Sequence, residues 1–382
     1  MINIQNNIWS ISSFLKNKQH NFNKKNILAQ LPAKFIDEAI LGISNWDNYS
    51  PTPLIKLNKL NEILKLKNIY YKDEDKRFDL KSFKALGGAF AVYKIANKKK
   101  NITVSTATAG NHGRSVAWGA QRLGLKCKIF VSEFVSESRA DAMRKLDAEV
   151  IRVKGNYDDS LKACIKQSTK NNWEIVQDVS WDGYKEVPKL IMAGYTIMIK
   201  EILDKIDTNP ITHVFLQAGV GGMAAAMVAG FAKLSKNTPK FITVEPENAD
   251  CVFQSIKNGK PTTVNIKKET IMGGMSCGDI SSIAWEILKD STNYCVTIPD
   301  EAISTTVALL AKAQLSNEKI IGGECAVPGI ISLIGSIKNS NYASELELNE
   351  ESNVLLFGCE GLTDNEMYQK LLNDGLKKIL SI

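Results

Sequence analysis

Three short runs in this 382-residue chain join reactive side chains to small ones. The first, residues 82–88, reads SFKALGG and sets Lys84 among Phe83, Ala85 and Leu86, just ahead of a helical segment. Apolar neighbours disfavour an ammonium, so this setting predicts a neutral amine suited to forming a Schiff base. The second, residues 107–113, reads ATAGNHG after the strand-like run ITVST. Its small residues admit a ligand close to the backbone, and Asn111 offers an amide to a ring oxygen. The third, residues 217–223, reads QAGVGGM between HVFL and the small-residue run AAAMVAGFA. Consecutive glycines opening a helix present backbone N–H groups and the positive end of the helix dipole, which suits a phosphate.

Each run alone also has a plain structural reading. A lysine at a helix start can face solvent, Asn111 can cap a helix while Gly110 turns the chain, and glycines can serve close packing of a helix on a strand. His112 reads equally well as a packed core histidine and is not assigned an acid or base role. The third run has no Gly-Lys-Ser/Thr and does not read as GxGxxG, which disfavours a nucleotide. Taken together and in chain order, an imine-forming lysine, an amide for a ring hydroxyl and a glycine cradle for one phosphate describe a pyridoxal 5′-phosphate site.

The elements that must hold these runs follow from periodicity. Strand candidates fall at residues 68–72, 102–106, 126–131, 149–153, 173–178, 213–217, 240–244, 294–298 and 353–357. Between them, residues 113–123, 137–146, 190–206 and 302–314 space apolar side chains three and four apart, as amphipathic helices do. Such alternation predicts an α/β protein with open, mostly parallel twisted sheets covered by helices. All three runs sit where a strand gives way to a helix, the place where open α/β sheets bind ligands.

Composition excludes several other classes. The chain is 44% hydrophobic and 23% charged, so it is expected to be globular, with one large α/β unit or two domains. Lys+Arg 48 against Asp+Glu 41 gives a formal charge of +7, but the basic residues are scattered and no basic stripe is interleaved with aromatics. Nucleic acid is therefore not an expected partner. The longest nearly apolar stretch, residues 218–232, is too short to span a bilayer. The N-terminus lacks signal-peptide features, and a cytoplasmic location is expected. Seven cysteines, odd in number and mostly inside apolar runs, read as buried free thiols, although Cys251 and Cys277 sit in loop-like surroundings where a pair is conceivable. Three histidines without ligand spacing predict no metal site.

Here the residues meet a family. The chain resembles the fold-type II pyridoxal-phosphate enzymes, the tryptophan synthase β superfamily, and within it the diaminopropionate ammonia-lyases. The marks run collinearly from Pro51 to the last helix: PTPL, KDEDKRFDLKSFKALGG, TATAGNHGR with VAWGAQ, IVQDVSWDGY, QAGVGGM, VEPENADC, MGGMSCG, GGECAVPG and CEGLTD. The resemblance implies a large discontinuous phosphate-binding domain (residues 1–90 plus 197–382), a small inserted domain (residues 91–196), an active site between them, and a homodimer. It makes Lys84, with Phe83 beside it, the imine lysine, and Asn111 the partner of the pyridoxal O3′. Gly219, Val220, Gly221, Gly222 and Met223 become the phosphate loop. Cys359 stands where relatives place Ser or Thr beside the pyridine nitrogen; a thiol is a weaker hydrogen-bond partner. Thr106, Thr108, Ala109 and Asp178 fall on the substrate side.

The activity this implies is α,β-elimination of 2,3-diaminopropionate to pyruvate and two molecules of ammonia. Lys84 removes the Cα proton, and Asp178 holds the β-ammonium of the small amino-acid substrate. The plain alternative for Asp178 is a turn cap. One departure stands out: the residue before GNHG is typically Asp in these lyases and is Ala109 here. An alanine cannot serve as a second base, so an L-isomer preference is expected. TATAGNHG also reads like the SAGNH stretch of threonine and serine dehydratases, the leading enzymatic alternative, whereas IVQDVSWDGY speaks for the lyase. A non-catalytic relative that binds the cofactor or an amino acid is a third reading, and the presence of Lys84 and the whole glycine loop argues against it.

Overall fold

A computed structural model describes residues 8–108, 110–206 and 210–380. Ala109 lies outside the described residues. The chain divides into two compact units, one of Met1–Gln30, Pro51–Lys76 and Met198–Ile382, the other of Leu31–Ser50 and Arg77–Ile197.

The larger unit is built on a seven-stranded sheet of β1 (Ser13–Lys16), β2 (Leu54–Lys56), β3 (Asn68–Asp73), β8 (His213–Gln217), β9 (Lys240–Pro246), β10 (Tyr294–Ile298) and β11 (Asn353–Gly358). Their order is β1-β10-β9-β8-β11-β3-β2; the two edge strands are antiparallel to their neighbours and the interior pairs are parallel. Every residue of β8, β10 and β11 is buried, as strands covered on both faces require. Helix Gly222–Leu234 follows β8 and is buried from Gly222 to Ala232.

The smaller unit holds a four-stranded parallel sheet, in the order β6 (Ala148–Val153), β5 (Lys126–Ser132), β4 (Thr103–Ala107) and β7 (Glu174–Ile175). Ala107, Phe130 and Cys164 are fully buried at its centre, with Trp173, Ile151 and Leu161 packed around them. Beside it the lysine helix, Lys84–Ala96, lies against helices Asn111–Arg122 and Glu186–Tyr195.

This unit is larger than the inserted segment expected at residues 91–196, because helix Ala33–Ser44 and residues 77–90 join it. The cause is packing. Ala33–Ser44 lies on the lysine helix and on Glu186–Tyr195, its Gly42 sits against the Phe90 ring, and its Glu38 pairs with Lys94 at 2.8 Å. The expected strand at residues 173–178 shrinks to Glu174–Ile175. Beyond it the backbone is taken by side chains: the Tyr184 hydroxyl donates to Ile175 O and accepts from Gln177 N, and His112 Nε2 lies 2.7 Å from Val176 O. The expected helix at residues 190–206 is two helices, Glu186–Tyr195 and Ile197–Leu203, broken at Thr196, whose hydroxyl bonds back to Ala193 O.

Candidate active site

Glycines set the position of the lysine helix. A Cβ on Gly87 would lie 2.4 Å from the Tyr195 ring and 2.7 Å from Ile191 O, and one on Gly88 would lie 2.5 Å from Ser115 Oγ. The two glycines after Lys84 therefore serve close helix packing. Ahead of the lysine, Phe78, Asp79 and Lys81 all have positive φ, an unfavourable backbone for side-chain-bearing residues. Ser82 Oγ accepts the Lys84 N–H at 3.3 Å.

Lys84 Nζ donates to Asp178 Oδ2 at 2.5 Å, with the Phe83 ring 5.4 Å and the Tyr195 ring 5.8 Å away. The apolar flank predicts a neutral amine; the structure adds a carboxylate partner, and an adjacent opposite charge favours an ammonium. Asp178 is thus no mere turn cap. Burial opposes its charge, but a positive charge on His112 whenever that ring is protonated, and the Lys84 ammonium with its hydrogen bond, hold its carboxyl well below the usual carboxylate range. His112 Nδ1 lies 3.7 Å from the same Asp178 oxygen. Burial of this ring pushes its pKa down, so it rests neutral.

Gln177 anchors the strand end that carries Asp178. Its Oε1 accepts from Thr106 Oγ1 at 2.8 Å and from Ala107 N at 3.1 Å, and its Nε2 donates to Ala107 O at 3.0 Å and to the Tyr157 hydroxyl at 2.8 Å. Thr106, expected on the substrate side, is fully buried and committed to this anchor. Thr108 Oγ1 accepts from Gly110 N and Gly113 N, tying the turn before helix Asn111–Arg122. Asn111 is the first helical residue there, while Gly110 is the cap, so the Asn111 side chain is not the cap of its own helix. Gln177, His112 and Tyr195 were not singled out as site residues from sequence; a glutamine beside the candidate Asp178 was the one available signal.

In the larger unit, β8 leads into residues 219–223. Gly221 has φ +85°, and Gly222 opens a 13-residue helix with no side-chain cap, leaving the N–H groups of its first turn without one. A Cβ on Gly219 would lie 3.0 Å from Cys277 Sγ and 3.2 Å from Gly274 O. Cys251 Sγ donates to Gly219 O at 3.4 Å; Cys251 and Cys277 form no disulfide, and burial, with Glu245 nearby, pushes the Cys251 thiol up. Cys359, just past β11, is buried and donates through Sγ to Cys325 O at 3.0 Å. Gln217 Nε2 donates to Phe357 O and Cys325 O, fixing the end of β8. Close by in sequence, Glu324, Cys325 and Glu360 bring one ligand atom each within 4.8 Å of one another, a grouping able to hold a metal, although Glu360 Oε1 already accepts the Cys325 N–H.

The model of the family described as pyridoxal-phosphate dependent enzyme matches residues 46–342. The chain belongs to this family. Features within each unit suit the family's cofactor: in the smaller unit Lys84 offers a primary amine for an aldehyde, and in the larger one the helix start at Gly222, without a side-chain cap, offers N–H groups for a phosphate. Among members of this family, the diaminopropionate ammonia-lyase of Escherichia coli (strain K12) is 33% identical over 352 residues, 86% of this chain and 88% of that protein. The diaminopropionate ammonia-lyase of Salmonella typhimurium (strain LT2) is 35% identical over 360 residues, 86% of this chain and 89% of that one. The crystal structure of the E. coli enzyme in complex with an aminoacrylate-PLP azomethine reaction intermediate superposes with a TM-score of 0.87 at 31% identity, over 97% of this chain and all of that one. The fold is accordingly fold-type II, with the mixed and parallel sheets described above.

Proposed function

We propose that this chain eliminates ammonia from 2,3-diaminopropionate, using pyridoxal 5′-phosphate, to give pyruvate and two molecules of ammonia. The observation that carries the reading is the Asp178 carboxylate seated on the amine of Lys84. A carboxylate there suits a substrate with a positively charged β-substituent, and a neutral hydroxyl would gain little from it. The similarity over most of the length to two curated diaminopropionate ammonia-lyases supports the same substrate.

When bound, the cofactor supplies a π-system that delocalises the charge left at Cα. The chain supplies the rest. Lys84 would hold the cofactor and accept the Cα proton on Nζ, Asn111 would face the ring hydroxyl, the N–H groups of residues 219–223 would hold the phosphate, and Cys359 would face the ring nitrogen. Asp178 would orient the β-ammonium until the Cβ–N bond breaks and ammonia leaves; it departs neutral and needs no acid. The released enamine hydrolyses to pyruvate and a second ammonia.

The Ala109 run leaves one alternative, a threonine or serine dehydratase of the same fold. We read the chain further as L-selective, as cytoplasmic, and as a homodimer by resemblance; no helix among the described residues is long and apolar enough to cross a membrane. Pyruvate and ammonia release from L- and D-diaminopropionate, L-serine and L-threonine tests the reading. Highest kcat/KM on L-diaminopropionate supports it, and highest kcat/KM on serine or threonine assigns the dehydratase.

A further inference from the structure

Asp178 Oδ2 has two nitrogen neighbours, Lys84 Nζ at 2.5 Å and His112 Nδ1 at 3.7 Å. The tautomer of the histidine follows from its other nitrogen. Nε2 lies 2.7 Å from Val176 O, and a carbonyl can only accept, so Nε2 carries the hydrogen and Nδ1 presents a bare lone pair. That lone pair is buried, has no hydrogen-bond partner, and faces a carboxylate oxygen that is also an acceptor. Two acceptors side by side are compatible only while a proton is near, and the Lys84 ammonium provides it.

A lysine that is to bond to an aldehyde carbon, or to take a proton from substrate, must first be a neutral amine. Its proton therefore needs a place to go, and the geometry points to one. We propose that His112 is the proton acceptor for Lys84: an N–H bond of the Lys84 ammonium breaks, the proton crosses Asp178 Oδ2, and an N–H bond forms at His112 Nδ1. The ammonium–carboxylate pair becomes a neutral amine beside a carboxylate–imidazolium pair, and the sum of the charges is unchanged. His112 thus acts through Asp178 as a positioning residue. The proposal rests on the reading of Lys84 as the cofactor lysine.

The surroundings favour this destination. A positive charge on His112 is opposed by burial and by Lys84 and favoured by Asp178, so loss of the lysine's charge removes one of the two opposing effects. Tyr195, against Lys84, and Tyr184, near Asp178, have hydroxyls pushed up by burial and stay neutral. Of the elements packed on helix Asn111–Arg122, the lysine helix presents Lys84. Helix Glu137–Arg144 buries Ala140 and Met143 and pairs Glu137 and Asp141 with Arg144. β4 buries Val104 and Ala107, and on β5 Lys128 pairs with Glu149 while Ile129 is buried. Arg114 lies two residues along the same helix.

The test reads the ring itself, by NMR of 15N-histidine-labelled protein, in which His20 and His213 are the other two signals. His112 is identified as the signal missing from His112→Gln, or as the one left in a His20→Gln/His213→Gln double variant. Loading the protein with pyridoxal phosphate, which consumes the Lys84 amine, is expected to raise the His112 pKa by about one unit or more over the cofactor-free protein. Lys84→Gln is expected to raise it likewise without cofactor. His112→Gln is expected to lower kcat by about tenfold or more while KM changes little. A His112 pKa that is the same in the cofactor-free protein, the loaded protein and Lys84→Gln overturns the relay. A protein that never takes up the cofactor tells against the proposed activity instead, and Lys84→Gln still decides the relay.

Discussion

The Tyr195 ring occupies the space that a side chain on Gly87 would need, with Cε1 only 2.4 Å from where the first carbon would stand. The same ring flanks the Lys84 amine, so this one contact sets both the approach of two helices and one wall of the lysine site. Gly87→Ala gains helix propensity, but overpacking against a buried tyrosine and the Ile191 carbonyl outweighs it. A net loss of about 1–3 kcal/mol is expected in urea unfolding, together with reduced activity. An unchanged midpoint would show that the helices can part at no cost.

Lys84→Ala is expected to remove the visible absorbance of the cofactor-loaded protein and to lower turnover by at least about a hundredfold. No other lysine approaches Asp178 within salt-bridge distance among the described residues. Elimination at the wild-type rate would move the chemistry to another residue.

Asp178→Asn is expected to lower kcat/KM for diaminopropionate about tenfold or more beyond any loss on serine, because only the former carries a β-ammonium. The ratio of the two substrates is the quantity to compare, since any effect on Lys84 is common to both. Equal losses would remove Asp178 from substrate selection. The native carboxyl is held below its unfolded value, so the stability it contributes is full above about pH 4 and is lost as pH falls further.

Much of this site was legible in the sequence because its motifs are local. The glycine loop and Asn111 each sit at a strand-to-helix turn that periodicity located closely, whereas Lys84, eleven residues past the end of β3, opens its helix rather than preceding it. Edge strands β1 and β2 were missed, being three or four residues long and antiparallel, without the continuous apolar run of a strand buried on both faces. His112, Gln177 and Tyr195 matter through contacts 64 to 108 residues away in the chain, such as His112 with Val176 and Tyr195 with Gly87. No spacing rule reaches that far. The carboxylate partner of Lys84 was out of reach of sequence for the same reason, because it lies 94 residues on.

Asp73 provides a second pH test. It ends β3 in register with Gly358, the residue before Cys359, and burial, with Asp75 and Glu74 adding to it, pushes its carboxyl up to about 6. A raised carboxyl binds its proton more tightly folded than unfolded, so its contribution to stability is full below about pH 4 and is lost as pH rises through the folded value. Asp73→Asn, neutral throughout, should match wild type near pH 4 and exceed it by about 3 kcal/mol at pH 7 in urea unfolding. Equal stabilities at pH 7 would mean that the buried carboxylate is fully compensated.

Stereochemistry is decided by which groups can reach each face of the substrate's Cα. Lys84 approaches from one face, and Asp178 is bonded to the Lys84 amine, so as it stands the carboxylate lies on the lysine's side and is not a base for the other. An L-amino acid presents its Cα proton to Lys84, and the D-isomer presents it to the opposite face. The resemblance implies that the Asp before GNHG would serve there; Ala109 has no atom that can take a proton. Because removal of a general base typically costs two to four powers of ten, turnover of D-diaminopropionate is expected to be at least about a hundredfold below that of the L-isomer. Ala109→Asp should restore part of the D-activity while leaving the L-reaction within about threefold. Comparable kcat/KM for the two isomers in the wild-type protein would require a base on the second face. Asp178, released from Lys84 once the amine is engaged, would then be the residue to test.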